Sequence, residues 1–361
     1  MHRAHAAGSA THVGEERIRR GEGLDRLVDP AGNGLIRRSM ARKDQRSDGF
    51  WEMMVGTPML VETLLDTTGS MGDNVAIALK RLPHLYALLK ESDRAVLGRY
   101  DLQLITAIFG DVEDRFVLNR SHAEMGDMIA QQMTMMFPER GGAANGKEDP
   151  EYGLFAAAYL TAAETNGYGL KTYHFAISDE PIYEHYDEQT LIRVFGDTVF
   201  NKVAENGHEI SRHNLPDVQK VIYDLMTRAH AFFLMVGDRR GVQDQWTRLY
   251  GVDRVVVLPS VELLPQVQAA IIGLTEGVLD LQSLVDYLTQ NEVAVDDAKR
   301  IARSVAGIPI GAQAALPGFD DIPMVGALFK EKTDLWPIGY ADEVDAPTGD
   351  EKELEESGDW L

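Results

Sequence analysis

Short stretches of dense apolar character recur through the middle of the chain, at residues 59–66, 101–109, 171–178, 230–236 and 254–258. Their length and their content of Val, Ile, Leu and Phe predict strands buried on both faces. Between them, apolar residues return at helical spacing over 73–90, 121–136, 151–165, 216–229, 242–250 and 261–277. Strands alternating with helices predict an α/β, doubly wound, mostly parallel sheet with helices on both faces. After the second strand, Asp111-Val112-Glu113-Asp114 reads as a turn into Arg115-Phe116-Val117-Leu118, an expected antiparallel edge strand. Beyond residue 279, Leu281, Leu284, Val285 and Leu288 repeat at helical spacing and 294–304 forms a second amphipathic pattern, which predicts a small helical C-terminal extension.

The flanks differ from this core. Residues 1–55 carry interspersed Gly, Ala, Ser and Arg with little sustained periodicity, and are expected to form a flexible arm. Residues 279–329 combine the helical extension with a Pro/Gly-rich connector. Residues 330–361 hold the acidic run Asp350-Glu351-Lys352-Glu353-Leu354-Glu355-Glu356 and are expected to form a disordered tail. That tail contributes to a formal net charge of −22 over 361 residues. Arg17, Arg19, Arg20, Arg37 and Arg38 are interleaved with acids and lack an aromatic platform, which argues against nucleic acid as a partner. No run approaches the roughly 18 apolar residues of a membrane span, and the start lacks the apolar segment of a secretory signal. The expectation is a soluble, cytoplasmic protein. The absence of cysteine excludes disulfides and thiolate metal sites.

Candidate chemistry begins at the end of the first strand, in Leu64-Leu65-Asp66-Thr67-Thr68-Gly69-Ser70-Met71-Gly72. Ligands of open α/β sheets bind at the carboxyl ends of strands. Alternate residues in an extended turn bring Asp66, Thr68 and Ser70 toward one point with oxygen donors only. Such donors suit a hard cation, Mg2+ first and Mn2+ or Ca2+ as alternatives. The plainer reading is that the three side chains cap the following helix.

This segment resembles the D-x-S-x-S element of the von Willebrand factor A (vWA) domain, in its D-x-T-G-S-M form, which opens a metal-ion-dependent adhesion site. The resemblance covers roughly residues 56–278, with a polar insertion at 181–215, and implies a vWA or Rossmann-like fold. It also implies that Tyr173-His174-Phe175-Ala176-Ile177-Ser178 is a strand carrying the family's later aspartate as Asp179. The middle loop of the site falls in Gly141-Gly142-Ala143-Ala144-Asn145-Gly146-Lys147-Glu148-Asp149-Pro150-Glu151, where the usual threonine is missing. Asp149 is taken as its metal residue, with Glu148 as the alternative. By resemblance, Thr68 and Ser70 ligate directly, Asp66 and Asp179 hold metal-bound waters, and one position stays open for a partner's carboxylate. The implied role is a metal-dependent protein-binding adaptor, with association to a MoxR-type AAA+ ATPase complex as a family-level expectation.

Catalytic readings are weaker. Gly141-x-x-x-x-Gly146-Lys147 lacks the hydroxyl residue of a phosphate-binding loop, since Glu148 follows the lysine. Asp66-Thr67-Thr68-Gly69-Ser70 is similar to the nucleophile element of haloacid-dehalogenase-type phosphatases, but Thr67 stands where that class has lysine. A Mg2+-dependent phosphoryl-transfer enzyme using Asp66 is the catalytic alternative. A metal-independent assembly protein is the third reading.

Overall fold

The computed structural model describes residues 10–38, 41–45, 51–91, 95–141, 148–322 and 327–328. Its centre is a six-stranded sheet. In chain order the strands are β1 (Pro58–Asp66), β2 (Asp101–Phe109), β3 (Leu118–Arg120), β4 (Thr172–Ser178), β5 (Ala229–Met235) and β6 (Val255–Val257). Across the sheet they lie in the order β6-β5-β4-β1-β2-β3, all parallel except β3, which runs antiparallel to β2. The order reverses between β1 and β4, the topological switch point of a doubly wound sheet, where the carboxyl ends of adjacent strands open a crevice.

All nine residues of β1 and all nine of β2 are buried, the mark of strands covered on both faces. Met59, Val61 and Leu65 face one layer, built from α1 (Asn74–Arg81), α8 (Leu264–Glu276), α9 (Leu281–Gln290) and α10 (Val295–Ser304). Leu64, Ala107 and Ala176 face the other, built from α3 (Glu151–Tyr159), α4 (Glu188–Phe195), α5 (Val199–Glu205), α6 (Val218–Arg228) and α7 (Arg240–Tyr250). Side chains alternate across a strand, so one apolar run supplies both cores. A buried bidentate pair, Arg120 to Glu62 at 2.7 and 2.9 Å, ties the short edge strand β3 to β1.

Helix boundaries follow local chemistry. The expected helix 73–90 is interrupted after α1 at Pro83, whose ring cannot donate to the helix ladder, and resumes as a short turn and a π-helix over Ala87–Glu91. Within 181–215, Gly196 at φ 82° separates α4 from α5. Asp187 caps α4 by accepting from Thr190 N at 2.7 Å, and Asp217 caps α6 by accepting from Lys220 N at 2.7 Å.

The N-terminal region corrects an expectation. Residues 10–38, expected within a flexible arm, are folded onto the domain. His12–Arg19 is helical, Gly14 N donates to Thr134 O at 2.9 Å, and Ile36–Arg38 pairs in parallel with Thr161–Ala163. Val28 and Ile36 are buried. The anchoring residues are too widely spaced to produce a periodic signal. Ala41–Gln45 and Trp51–Val55 also pair, and Ala327–Leu328 adds to the latter. The acidic tail over 330–361, the glycine-rich residues 142–147 and the connector residues Met324, Val325 and Phe329 lie outside the described residues.

Candidate metal centre

The switch point between β1 and β4 holds a chain of oxygen-bearing side chains. Asp66, fully buried at the end of β1, receives three hydrogen bonds. Thr68 N and Thr68 Oγ1 donate to its Oδ1 at 2.8 and 2.7 Å, and Ser178 Oγ donates to its Oδ2 at 2.6 Å. Thr68 Oγ1 lies 3.2 Å from Ser70 Oγ. Ser70 Oγ in turn donates to Asp179 Oδ1 at 2.8 Å. Both hydroxyls therefore have a carboxylate to receive their protons, which leaves two adjacent hydroxyl oxygens with lone pairs to offer a ligand.

Neighbouring elements hold this arrangement in place. Thr67 continues the ladder beyond β1, its N and Oγ1 both donating to Phe109 O at 3.0 and 2.8 Å. On the other side, α7 fastens the segment after Asp179. Trp246 Nε1 donates to Glu180 O at 3.0 Å, and Gln245 brackets Ile182 N and O, each at 3.0 Å. Arg239, at the start of α7, donates to Asp179 Oδ2 at 2.7 Å and to Glu180 Oε1 at 2.6 Å. Helix α3 packs on the Leu64 face of the sheet. A Cβ on Gly153 would stand 2.4 Å from Leu64 Cδ1, so glycine lets α3 lie against β1 and carries Glu148 toward Asp66.

Of the expected residues, the structure brings together Asp66, Thr68, Ser70 and Asp179, and it does not join Asp149 to them. Asp149 Oδ2 instead accepts from Val112 N at 2.8 Å, in the loop after β2. Glu148 is the middle-loop residue at the cluster, close enough to Thr68 and Asp66 for both to act on its carboxyl, with Asp66 repelling it. The reason is local. Glu148 is extended, bridged to Ile182 with its N–H on Pro181 O at 3.1 Å, so consecutive side chains point to opposite sides and only one of the two acids can face Thr68.

Electrostatically the cluster is short of positive charge. Burial raises Asp66 to about 6 against the hydrogen bonds of Ser178 and Thr68. Burial, then repulsion from Asp66, raises Glu148 to about 8, and burial raises Asp149 to about 6. Glu148 Oε2 is buried with no hydrogen-bond partner. An orphaned buried carboxylate oxygen beside two hydroxyl oxygens fits a hard cation. Among the described residues, no grouping of three or more His, Cys, Asp or Glu side chains could hold a metal, so a cation here depends on the Thr68 and Ser70 hydroxyls.

Ser178 and Arg239 were not assigned to the site from sequence. Ser178 reaches Asp66 because Leu65 pairs with Ile177 and the next residue on each strand is Asp66 and Ser178, a register set by the sheet and not written in either segment alone. Arg239 had no local signal either, since its contact crosses from a separate strand-to-helix loop. The geometry also weighs on Asp66 as a phosphoryl acceptor. Both carboxylate oxygens accept hydrogen bonds and neither is exposed, whereas a nucleophile must reach its substrate.

No protein-family model matches the chain, and no curated protein matches it in sequence. Among solved structures, the pilus adhesin SpaC from Lactobacillus rhamnosus GG is similar over 65% of this chain and 34% of its own, at 16% identity and a TM-score of 0.39. Proximal thread matrix protein 1 from the mussel byssus, solved with a zinc-occupied MIDAS motif, is similar over 61% of this chain and 48% of its own, at 12% identity and a TM-score of 0.35. The chain thus spans about a third of the adhesin and about half of the byssus protein. Likeness of this extent decides nothing about function, and the α/β assignment rests on the strand order and the two-sided burial described above.

Proposed function

We propose that this chain is a divalent-cation-dependent protein-interaction module of the vWA kind, with Mg2+ as the first candidate ion. The observation that carries the reading is the convergence of Asp66, Thr68, Ser70, Asp179 and Glu148 at the switch point, with oxygen as the donor throughout. Thr68 and Ser70 offer hydroxyl oxygens to the ion, Asp66 and Asp179 orient those hydroxyls by accepting their protons, and Glu148 supplies the unpartnered carboxylate oxygen. When bound, the cation supplies a positive centre on which a partner's carboxylate closes the coordination. Such a site binds rather than turns over. Attachment to a MoxR-type AAA+ ATPase complex and a cytoplasmic setting extend this proposal from family resemblance. Among the described residues, no helix is long and apolar enough to cross a membrane.

Calorimetric titration of Mg2+ and Mn2+ into chelator-treated full chain, beside a Ser70→Ala variant shown to be folded, tests the reading. Saturable binding by the wild type that is lost in Ser70→Ala is the expected result. Binding of equal strength by both proteins contradicts it.

A further inference from the structure

Four carboxylates crowd the switch point, from Asp66, Glu148, Asp179 and Glu180. Among the described residues, Arg239 is the basic side chain ion-paired to them, at 2.7 Å to Asp179 and 2.6 Å to Glu180. The two ends of this contact differ. The Asp179 side chain is 11% exposed and shares its second oxygen with Ser70, whereas Arg239 is 47% exposed and sits at the first turn of α7, after the Gly237 turn at φ 80°. The guanidinium therefore reaches in from the rim to a carboxylate that also belongs to the Thr68–Ser70 hydroxyl pair.

We propose that Arg239 is a tethered counter-cation that sets the affinity of this site for divalent metal. The proposal rests on the cation reading above and adds how the site is regulated. An ion held through Ser70 draws on the same Asp179 carboxylate that holds the guanidinium, and two positive charges on one carboxylate repel each other. The arginine thus partly neutralises the cluster in the metal-free chain and keeps metal affinity below what four carboxylates would otherwise provide. Because the arginine is on the rim, an acidic partner that attracts it would relieve this competition and tighten the ion, which couples partner binding to metal binding.

The test is Mn2+ calorimetry on chelator-treated full chain for wild type, Arg239→Gln, Arg239→Lys and the double variant Arg239→Gln with Asp66→Ala, each first shown to be folded by circular dichroism. Arg239→Gln is expected to bind Mn2+ roughly tenfold more tightly than wild type. Arg239→Lys, which keeps the charge, should stay near wild type, and the double variant should not bind. Equal or weaker binding by Arg239→Gln, with the heat still dependent on Asp66, overturns the role of Arg239 and leaves the cation site standing. Arg239→Lys binding as tightly as Arg239→Gln also overturns it, because charge would not be the cause. Folded Arg239→Gln that gives no heat, or heat that survives loss of Asp66, overturns both proposals.

Discussion

The two ends of the central sheet bury polar groups to similar depth and treat them differently. At the amino end, Glu276 closes α8 between two tyrosines, accepting from Tyr173 Oη at 2.7 Å and from Tyr100 Oη at 3.1 Å. Beside it, the Gln313 amide accepts from Lys171 N at 3.2 Å, meets His230 Nε2 at 2.8 Å and donates to Lys171 O at 2.9 Å. Both carboxylate oxygens of Glu276 and both ends of the Gln313 amide are used. At the carboxyl end, three hydroxyls and one arginine serve Asp66, Asp179 and Glu180, and Glu148 Oε2 is left over. Saturated networks rigidify a fold, whereas surplus acceptors are capacity for something that arrives from outside.

The largest effect should come from breaking the saturated Glu276–Gln313 network. Glu276→Ala strands two buried tyrosine hydroxyls and opens a cavity, at a cost of about 2–4 kcal/mol in urea denaturation. The loss should be the same with and without Mg2+. Gly153→Ala comes next. Its Cβ would meet Leu64 and push α3 off β1, costing about 1–3 kcal/mol. Because Glu148 lies just before the first turn of α3, this variant should also weaken Mg2+ binding, unlike Glu276→Ala. Equal cation affinity in both variants would erase the distinction between the ends.

The smallest effect is a pH dependence. Asp66, Glu276 and Glu148 are raised to about 6, 7 and 8, chiefly by burial, so the folded chain holds protons that the unfolded chain has already released. The stability from these groups is complete below the ordinary carboxylate range and is lost as pH rises through their folded values. His174 and His230 run the other way. Burial lowers both to about 4, so they lose stability as pH falls below their ordinary 6.5. From these groups, metal-free stability should fall between pH 6.5 and 8. Mg2+ should remove the part that belongs to Glu148, and Glu276→Gln the part near pH 7, whereas the loss from Asp66 is complete by about pH 6. A fall that Mg2+ leaves unchanged would contradict the assignment of surplus charge to the carboxyl end.

Much of the fold was legible in the sequence because buried parallel strands write continuous apolar runs. The expected strand 101–109 coincides with β2, and the others differ from β1, β4, β5 and β6 by about a residue at either end. The convergence of Asp66, Thr68 and Ser70 was legible for a related reason, since three residues on one turn need no tertiary information. Glu148 against Asp149 turned on the direction of one extended residue, which is set by its bridge to Ile182, a contact distant in sequence. Arg239 reaches Asp179 across 60 residues, and the packing of Trp246 against Phe233, with ring centroids 3.9 Å apart, places its helix. The N-terminal segment escaped notice because a few isolated residues anchor it rather than a periodic face.

The most direct test of the central claim is anomalous scattering from crystals of the full chain soaked in Mn2+. The expected result is a peak between Thr68 Oγ1 and Ser70 Oγ, with Glu148 and Asp179 at its border. A peak elsewhere, or none at these hydroxyls at a Mn2+ concentration that saturates binding in solution, would contradict the account.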